Sequence, residues 1–494
     1  MEIHNVEKVW NGKEKTAVLF AALLGVAFDQ LFYRGTFGIS VLPFVILFYI
    51  FYFRATGISA KPGRRFSTVL FAAVVMLTLD IVVYANQTFR ILNVLALPAL
   101  IVVHTFLAAA ETRGDTPQRF IPKLAAQLFP QTFSRMKLLF LLLRGTFQRS
   151  GRQQSYVLRQ ILLGLLISAP LLVVVGTLLG SADALFQRML GRIPDWFAGL
   201  HFGEWLFRAV VVLAVAGYAY GFVMGLAHPR PGKSADHETG EKGVGYILDS
   251  ITVITVLILV NSLFVLFVAI QFSYLFAGGS GSLPNGLTYA DYIHKGFAEL
   301  NVVSLINLTL LIVSLRSVDG NRKISAILKA LQTLLAANSF VMLASAYIRL
   351  ALYEEAYGFT VLRLLVHAFM LVMFILFVWG LIRIWRKQFP LVKMWLATGI
   401  LAYALVASSN IEGIAASLNV ARFEQTGKLD AAYLAGLSND AAPAVMRLSN
   451  AEKQNEQIAF LLQSFRDKAK QAHPWQELTL SDLFARKFVR DTAW

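Results

Sequence analysis

Apolar residues run in long blocks along this chain, and polar residues gather between the blocks. The runs fall at 16–33, 37–53, 68–89, 91–110, 157–179, 206–227, 247–272, 300–315, 324–352, 361–384 and 391–409. A hydrocarbon core about 30 Å thick needs roughly 20 residues of helix. A membrane barrel would show segments of roughly ten residues alternating apolar and polar, which these are not. The pattern therefore predicts an all-α, polytopic transmembrane helix bundle of about eleven spans. The first run, behind Lys13 and Lys15, continues towards Tyr33 and reads as an uncleaved first span.

Two stretches depart from this pattern. Residues 111–156 mix Phe120, Leu124, Leu128, Phe129 and Phe133 with Lys123, Arg135, Lys137, Arg144 and Arg149. That reads as a basic amphipathic segment in the inner headgroups, a surface anchor without a partner. From Ile411 onward, short Ala-rich amphipathic segments are separated by Gly, Ser, Asn and Pro, with Asp430, Asp440 and Ser481 at helix-capping positions. The expected organisation is a four-span segment (1–110), the inner-surface segment (111–156), a seven-span bundle (157–410) and a small soluble helical domain (411–494).

Composition agrees with the pattern. Hydrophobic residues make up 57% and charged residues 15%, against roughly 45–50% and about 25% in soluble chains. A water-soluble enzyme and a disordered protein are both excluded. With no cysteine, thiolate chemistry and disulfides are excluded as well.

Charge sets the orientation. The net charge is +16, yet the tail from Ile411 holds ten basic and ten acidic residues, so the whole excess lies in the membrane part. With the N-terminus inside, the inner segments carry 27 Lys and Arg and the outer ones before the tail carry eight. Basic residues resist translocation, which places the N-terminus inside and the tail outside. The basic inner loops are expected to meet anionic lipid rather than nucleic acid.

No phosphate-binding loop, hydrolase elbow or zinc motif occurs. No catalytic residue, cofactor or metal is assigned. Gly217, Gly221 and Gly225 repeat every fourth residue on one face of the sixth span, a spacing that lets helix backbones approach closely. Polar groups at membrane depth are costly. For Asn261, Gln271, Asn301, Asn307 and Asn338 the expected role is interhelical hydrogen bonding. For Asp80, packing and function both stay open. The densest polar signal is in the outer segments, and it nominates Asp183, Gln271, Tyr289, Tyr292, Glu299, Arg349, Tyr353, Glu354, Glu355, Tyr357 and Arg363 as ligand-binding candidates. Arg349 and Arg363 should each contact a carboxylate or a ring of backbone carbonyls, with Glu355, Asp183 and Glu299 as first partners.

Several of these segments also carry a resemblance. The S-A-D-x-x-F element, Q-F-S-Y-L-F, T-Y-A-D-Y-I-H-K-G-F-A-E-L, R-L-A-L-Y-E-E-A-Y-G-F-T-V-L-R and T-G-K-L-D-A-A-Y-L-A-G-L-S-N-D-A-A-P-A-V, from Val157 to the end, resemble a bacterial multi-pass membrane family. It is catalogued as domain of unknown function 4173 and related to number 4153. The resemblance implies a bacterial cytoplasmic membrane location and this architecture; it brings no reaction, substrate or cofactor.

Three functions remain in competition. One is binding or transport of a small or lipid-like ligand at an outer-facing polar pocket. Another is a non-catalytic assembly or sensing role in which residues 411–494 meet a protein partner. The third is a membrane enzyme acting on a lipid-linked substrate.

Overall fold

The computed structural model describes residues 12–33, 35, 37–58, 66–112, 120–136, 202–228, 249–275, 297–316, 322–449, 455–471 and 474–491. Among them every regular element is helical. The α-helices are α1 (Gly12–Phe32), α2 (Val41–Thr56), α3 (Phe66–Val83), α4 (Gln87–Thr112), α5 (Phe120–Ala126), α6 (Phe202–Ala227), α7 (Ser250–Leu275) and α8 (Phe297–Ser314). They continue with α9 (Arg322–Tyr357), α10 (Val361–Trp385), α11 (Leu391–Ala407), α12 (Ile411–Thr426), α13 (Ala431–Gly436), α14 (Ala442–Val445), α15 (Glu456–Lys470) and α16 (Leu480–Asp491).

The expectation of about eleven spans is not met among the described residues. Six helices (α3, α4, α6, α7, α9 and α10) are long and apolar enough to cross a membrane. A seventh is added if α11 and α12, bent by 59°, form one broken span. Shorter apolar helical stretches lie in α1, α2 and α8, at Thr16–Phe32, Val41–Thr56 and Glu299–Ser314. The run at 157–179 lies outside the described residues. The run at 68–89 is not one helix: it breaks at Tyr84–Asn86, and α4 starts at Gln87.

The chain folds into two compact units that do not follow its order. One takes Met1–Pro62, Thr105–Lys233 and Trp475–Glu477; the other takes Gly63–His104, Ser234–Pro474 and Leu478–Trp494.

In the first unit α1 packs on α2 and α6. Gly25 lets α1 approach α6 so closely that a Cβ there would stand 3.0 Å from that of Ala216. Asp29 is bound by Arg208 in a fork, with Nε donating to Oδ1 at 3.0 Å and Nη2 to Oδ2 at 2.6 Å. That pairing lowers the cost of a carboxylate within an apolar run.

The described part of the segment read as an unpartnered surface anchor packs against the chain itself. Residues 120–136 lie on α6 against its glycine face: Gly217 meets Met136, Gly221 meets the Thr132 carbonyl and Gly225 meets the Gln127 side chain. Gln127 donates to the Phe222 carbonyl at 3.0 Å. Pro130 has no N–H to offer, and the helix widens into a π-turn over Gln127–Gln131, where the Thr132 hydroxyl donates to the Gln127 carbonyl at 2.7 Å. Phe129 and Phe133 stay exposed.

In the second unit α9 packs on α7, α8 and α10, α10 on α11, and α11 on α3. Four amide side chains of these apolar helices bond between helices. Asn338 donates to Asn261 at 3.2 Å and Asn261 to the Leu331 carbonyl at 3.1 Å. Asn307 donates to the Ser339 hydroxyl at 3.0 Å, and Gln332 to that of Ser314 at 3.1 Å. The tail segments α12–α16 close a second core around Leu434, Val445, Ile458, Leu461, Leu462 and Phe465, with Val361 of α10 packed against it.

Replacing Gly221 with Leu should cost about 1–3 kcal/mol, the usual penalty of overpacking, because the new side chain displaces the Thr132 backbone. Thermal unfolding in detergent measures this. An unchanged midpoint would mean that the glycine face and residues 127–136 are not in contact.

Candidate functional site

The main polar concentration in the second unit lies where α3 ends. Between α3 and α4 the helix is interrupted, and the amides of the new first turn need acceptors. The Asn86 side chain caps one, accepting from Phe89 N–H at 3.0 Å. Ala85 N–H donates to both carboxylate oxygens of Asp440, at 2.8 and 3.0 Å. The Ser481 hydroxyl and the Asn86 amide bond the same carboxylate. Asn86 Nδ2 donates to Glu412 Oε1 at 2.8 Å, and Glu412 Oε2 accepts from Ser438 N–H at 2.7 Å. Two tail carboxylates thus hold the break between two membrane helices.

Asp440 is almost fully buried. Burial pushes its carboxyl above the ordinary aspartate value of 3.8, against the hydrogen bonds from Ser481, Ala85, Ser438 and Asn86, which pull it down. Glu412, Tyr84 and Asp80 are the titratable groups that feel its charge. Lys468 closes the far side, donating to the Ala435 and Leu437 carbonyls at the end of α13.

The backbone that carries Glu412 turns at Asn410, whose φ of 49° and ψ of 52° are left-handed, a conformation asparagine tolerates. Its side chain caps α12 by accepting from Gly413 N–H at 2.9 Å. A cavity of about 320 Å³ lies here, lined by Asn410, Ser417, Ile414, Leu418 and Asp440 among others. The polar atoms of Asn410 and Asp440 already serve the backbone, so the cavity is a crevice of the bend.

Within the helices, Asp80 accepts from Asn93 Nδ2 at 2.5 Å, and Asn93 Oδ1 accepts from Tyr403 at 2.7 Å. The other Asp80 oxygen, Oδ1, is buried without a hydrogen-bond partner among the described residues.

The α9–α10 turn forms the second half of the site. Glu354 Oε2 lies 2.9 Å from His367 Nε2, while Glu354 Oε1 and His367 Nδ1 are buried without hydrogen-bond partners among the described residues. The Arg363 guanidinium donates to the Gly358 carbonyl and lies 4.3 Å from the centre of the Tyr353 ring. Gly358 takes a φ of 86°, and a Cβ there would stand 2.8 Å from Asn419 Oδ1. Asn419 brackets Phe359, accepting from its N–H at 3.0 Å and donating to its carbonyl at 2.6 Å. Arg422 donates to the Glu355 and Ala356 carbonyls at 3.2 and 2.7 Å. Tyr433 accepts from Val361 N–H at 2.8 Å.

The nominated residues therefore separate. Tyr353, Glu354, Tyr357 and Arg363 gather at the α9–α10 turn, and Arg349 is buried on α9. Arg363 finds a backbone carbonyl rather than Glu355, whose side chain is exposed. Glu299 is exposed in the first turn of α8, and Gln271 belongs to α7 by its backbone. Asp183, Tyr289 and Tyr292 lie outside the described residues. Asp430 caps α13, but the other two capping expectations fail. Ser438 caps the turn at Asn439–Ala441, and Thr479 pairs with Asp482 at the start of α16, so Asp440 and Ser481 are left to meet each other. Sequence reading missed Glu412, Asn410, Asn419 and Arg422, which bond to backbone distant in the chain. Among the described residues no three His, Cys, Asp or Glu side chains are placed to hold a metal.

The family described as a domain of unknown function (DUF4153) matches residues 66–448. That stretch opens at the first residue of α3 and includes both Ala85 and Asp440. No curated protein and no solved structure matches.

Because folded Asp440 binds its proton more tightly than the unfolded chain does, its contribution to stability is present below pH 3.8 and is lost as pH rises through its raised value. Comparing the stability of the protein and its Asp440→Asn variant across pH should reveal a falling component that the variant lacks. Parallel profiles would contradict the assignment.

Proposed function

The chain belongs to the DUF4153 family, and for it we propose a non-catalytic role in the membrane. In this reading the helical tail is a platform fixed to the ends of the membrane helices, and it meets a protein partner and couples that partner to the bundle. The supporting observation is the buried Asp440 carboxylate, which takes the Ala85 amide at the end of a spanning helix. A tail that only trailed from the last span would have no reason to bury a charge there. The platform is placed outside a bacterial cytoplasmic membrane, with the N-terminus inside and the basic inner loops on anionic lipid, as the Lys and Arg alternation argues. Kinship with family 4173, on the motifs quoted above, belongs to the same proposal.

A second reading, binding or transport of a small polar or lipid-like ligand, is favoured by one observation. Asp80 Oδ1, Glu354 Oε1 and His367 Nδ1 are buried polar atoms without a hydrogen bond among the described residues, and such atoms are the ones a polar guest would serve.

A photo-crosslinking residue at exposed Phe460 separates the two. In intact cells it should give one adduct of defined mass, and the adduct should be lost in Asp440→Ala at equal expression. No adduct, together with saturable ligand binding that Glu354→Gln abolishes, would favour the second reading and overturn the first.

A further inference from the structure

The last helix, α16, has two dissimilar faces. Asp482 and Ala485 are buried, while Leu480, Leu483 and Phe484 are 37%, 44% and 66% exposed. The spacing i, i+3, i+4 puts these three on one stripe. Lys487 continues it one turn on and is exposed. Arg486 donates to the Gln471 carbonyl at 2.7 Å, which sets a second basic group beside the stripe.

The position of this helix decides what the stripe meets. Its first turn is tied to the end of α3, because Ser481 bonds the Asp440 carboxylate that holds Ala85, and α16 packs on α3 itself. The chain thus enters α16 at the end of an apolar helix, where a bilayer gives way to its headgroups. An apolar stripe with basic residues beside it at that level matches the chemistry of an interfacial helix.

We propose that α16 lies in the headgroup region of the bilayer that the apolar helices cross, with Leu480, Leu483 and Phe484 in the acyl boundary and Lys487 on anionic headgroups. The occupant of this face is lipid. Charge complementarity favours an anionic surface, and attachment to the end of α3 places the face at the right depth. The inference is separate from the coupling role above, and absence of a crosslink at Phe460 would leave it standing.

The chain has no cysteine, so single-cysteine variants can carry a nitroxide label at chosen sites. Phe484→Cys, Leu483→Cys and a water control, Gln463→Cys on α15, are reconstituted in nanodiscs of zwitterionic or anionic lipid. At residues 483 and 484 dissolved oxygen should relax the label more strongly than a water-soluble nickel chelate, with the reverse at residue 463. The oxygen bias should grow in anionic lipid, and Lys487→Gln should remove that growth. If Phe484→Cys fails to fold, Leu483→Cys reports on the same stripe. Nickel reaching 484 as readily as 463 would overturn the proposal. So would exclusion of both relaxants, which would place a protein surface, a partner or a second copy, on this face. Equal bias in the two lipids would overturn the headgroup contact.

Discussion

A helix that stops inside an apolar run leaves amides without acceptors, and near the edge of a bilayer little water is available to replace them. At Tyr84–Asn86 this chain meets that constraint with a carboxylate from far along the sequence. Asp440 accepts from Ala85, and Glu412 takes the side chain that caps the next helix. Much of this end of the second unit follows. The turn at Asn439–Ala441 must sit over the end of α3, and α16 must start beside it. The bend at Asn410 must carry α12 back over the bundle. Asn419 and Arg422, two and three turns further along α12, then meet the α9–α10 turn.

Polar groups within the apolar helices serve two purposes. Asn261, Asn307, Asn338 and Gln332 bond to neighbouring helices and set their register. Asp29 is paired with Arg208, so its charge is answered locally. Asp80 differs, for its hydrogen bond from Asn93 satisfies one oxygen and leaves the other without a partner among the described residues. In the first unit the close contact on α6 comes from glycine instead of polar bonding. The segment 127–136 fills that face with a threonine carbonyl, a glutamine and a methionine.

The sequence reveals what depends on local pattern. Apolar length locates the helices, and the tail segments bounded by Gly427, Ser438 and Pro474 fall where turn residues predict them. Glycines at every fourth position on α6 announce a close approach, although they do not reveal that the neighbour is the basic segment before it. Asp440 reads as an ordinary helix cap, because nothing near it in the chain shows that its partner is an amide 355 residues away. The break in the run at 68–89 is hidden for the same reason. Tyr-Ala-Asn in an apolar context does not end a helix by propensity alone; tertiary bonding ends it. The arginines of the α9–α10 turn call for a carboxylate or backbone carbonyls by charge, and Arg363 takes a carbonyl together with a tyrosine ring, the ring being a partner that no spacing rule identifies.

The tail and the apolar helices of the second unit form one cooperative structure joined through Asp440. Hydrogen exchange of the full-length protein, compared with its Asp440→Ala variant, tests it directly. In the variant, protection should be lost together at residues 84–89, at the start of α12 and around Asn439–Ala441. Loss confined to Asn439–Ala441, with Ala85 and α12 as protected as before, would contradict it.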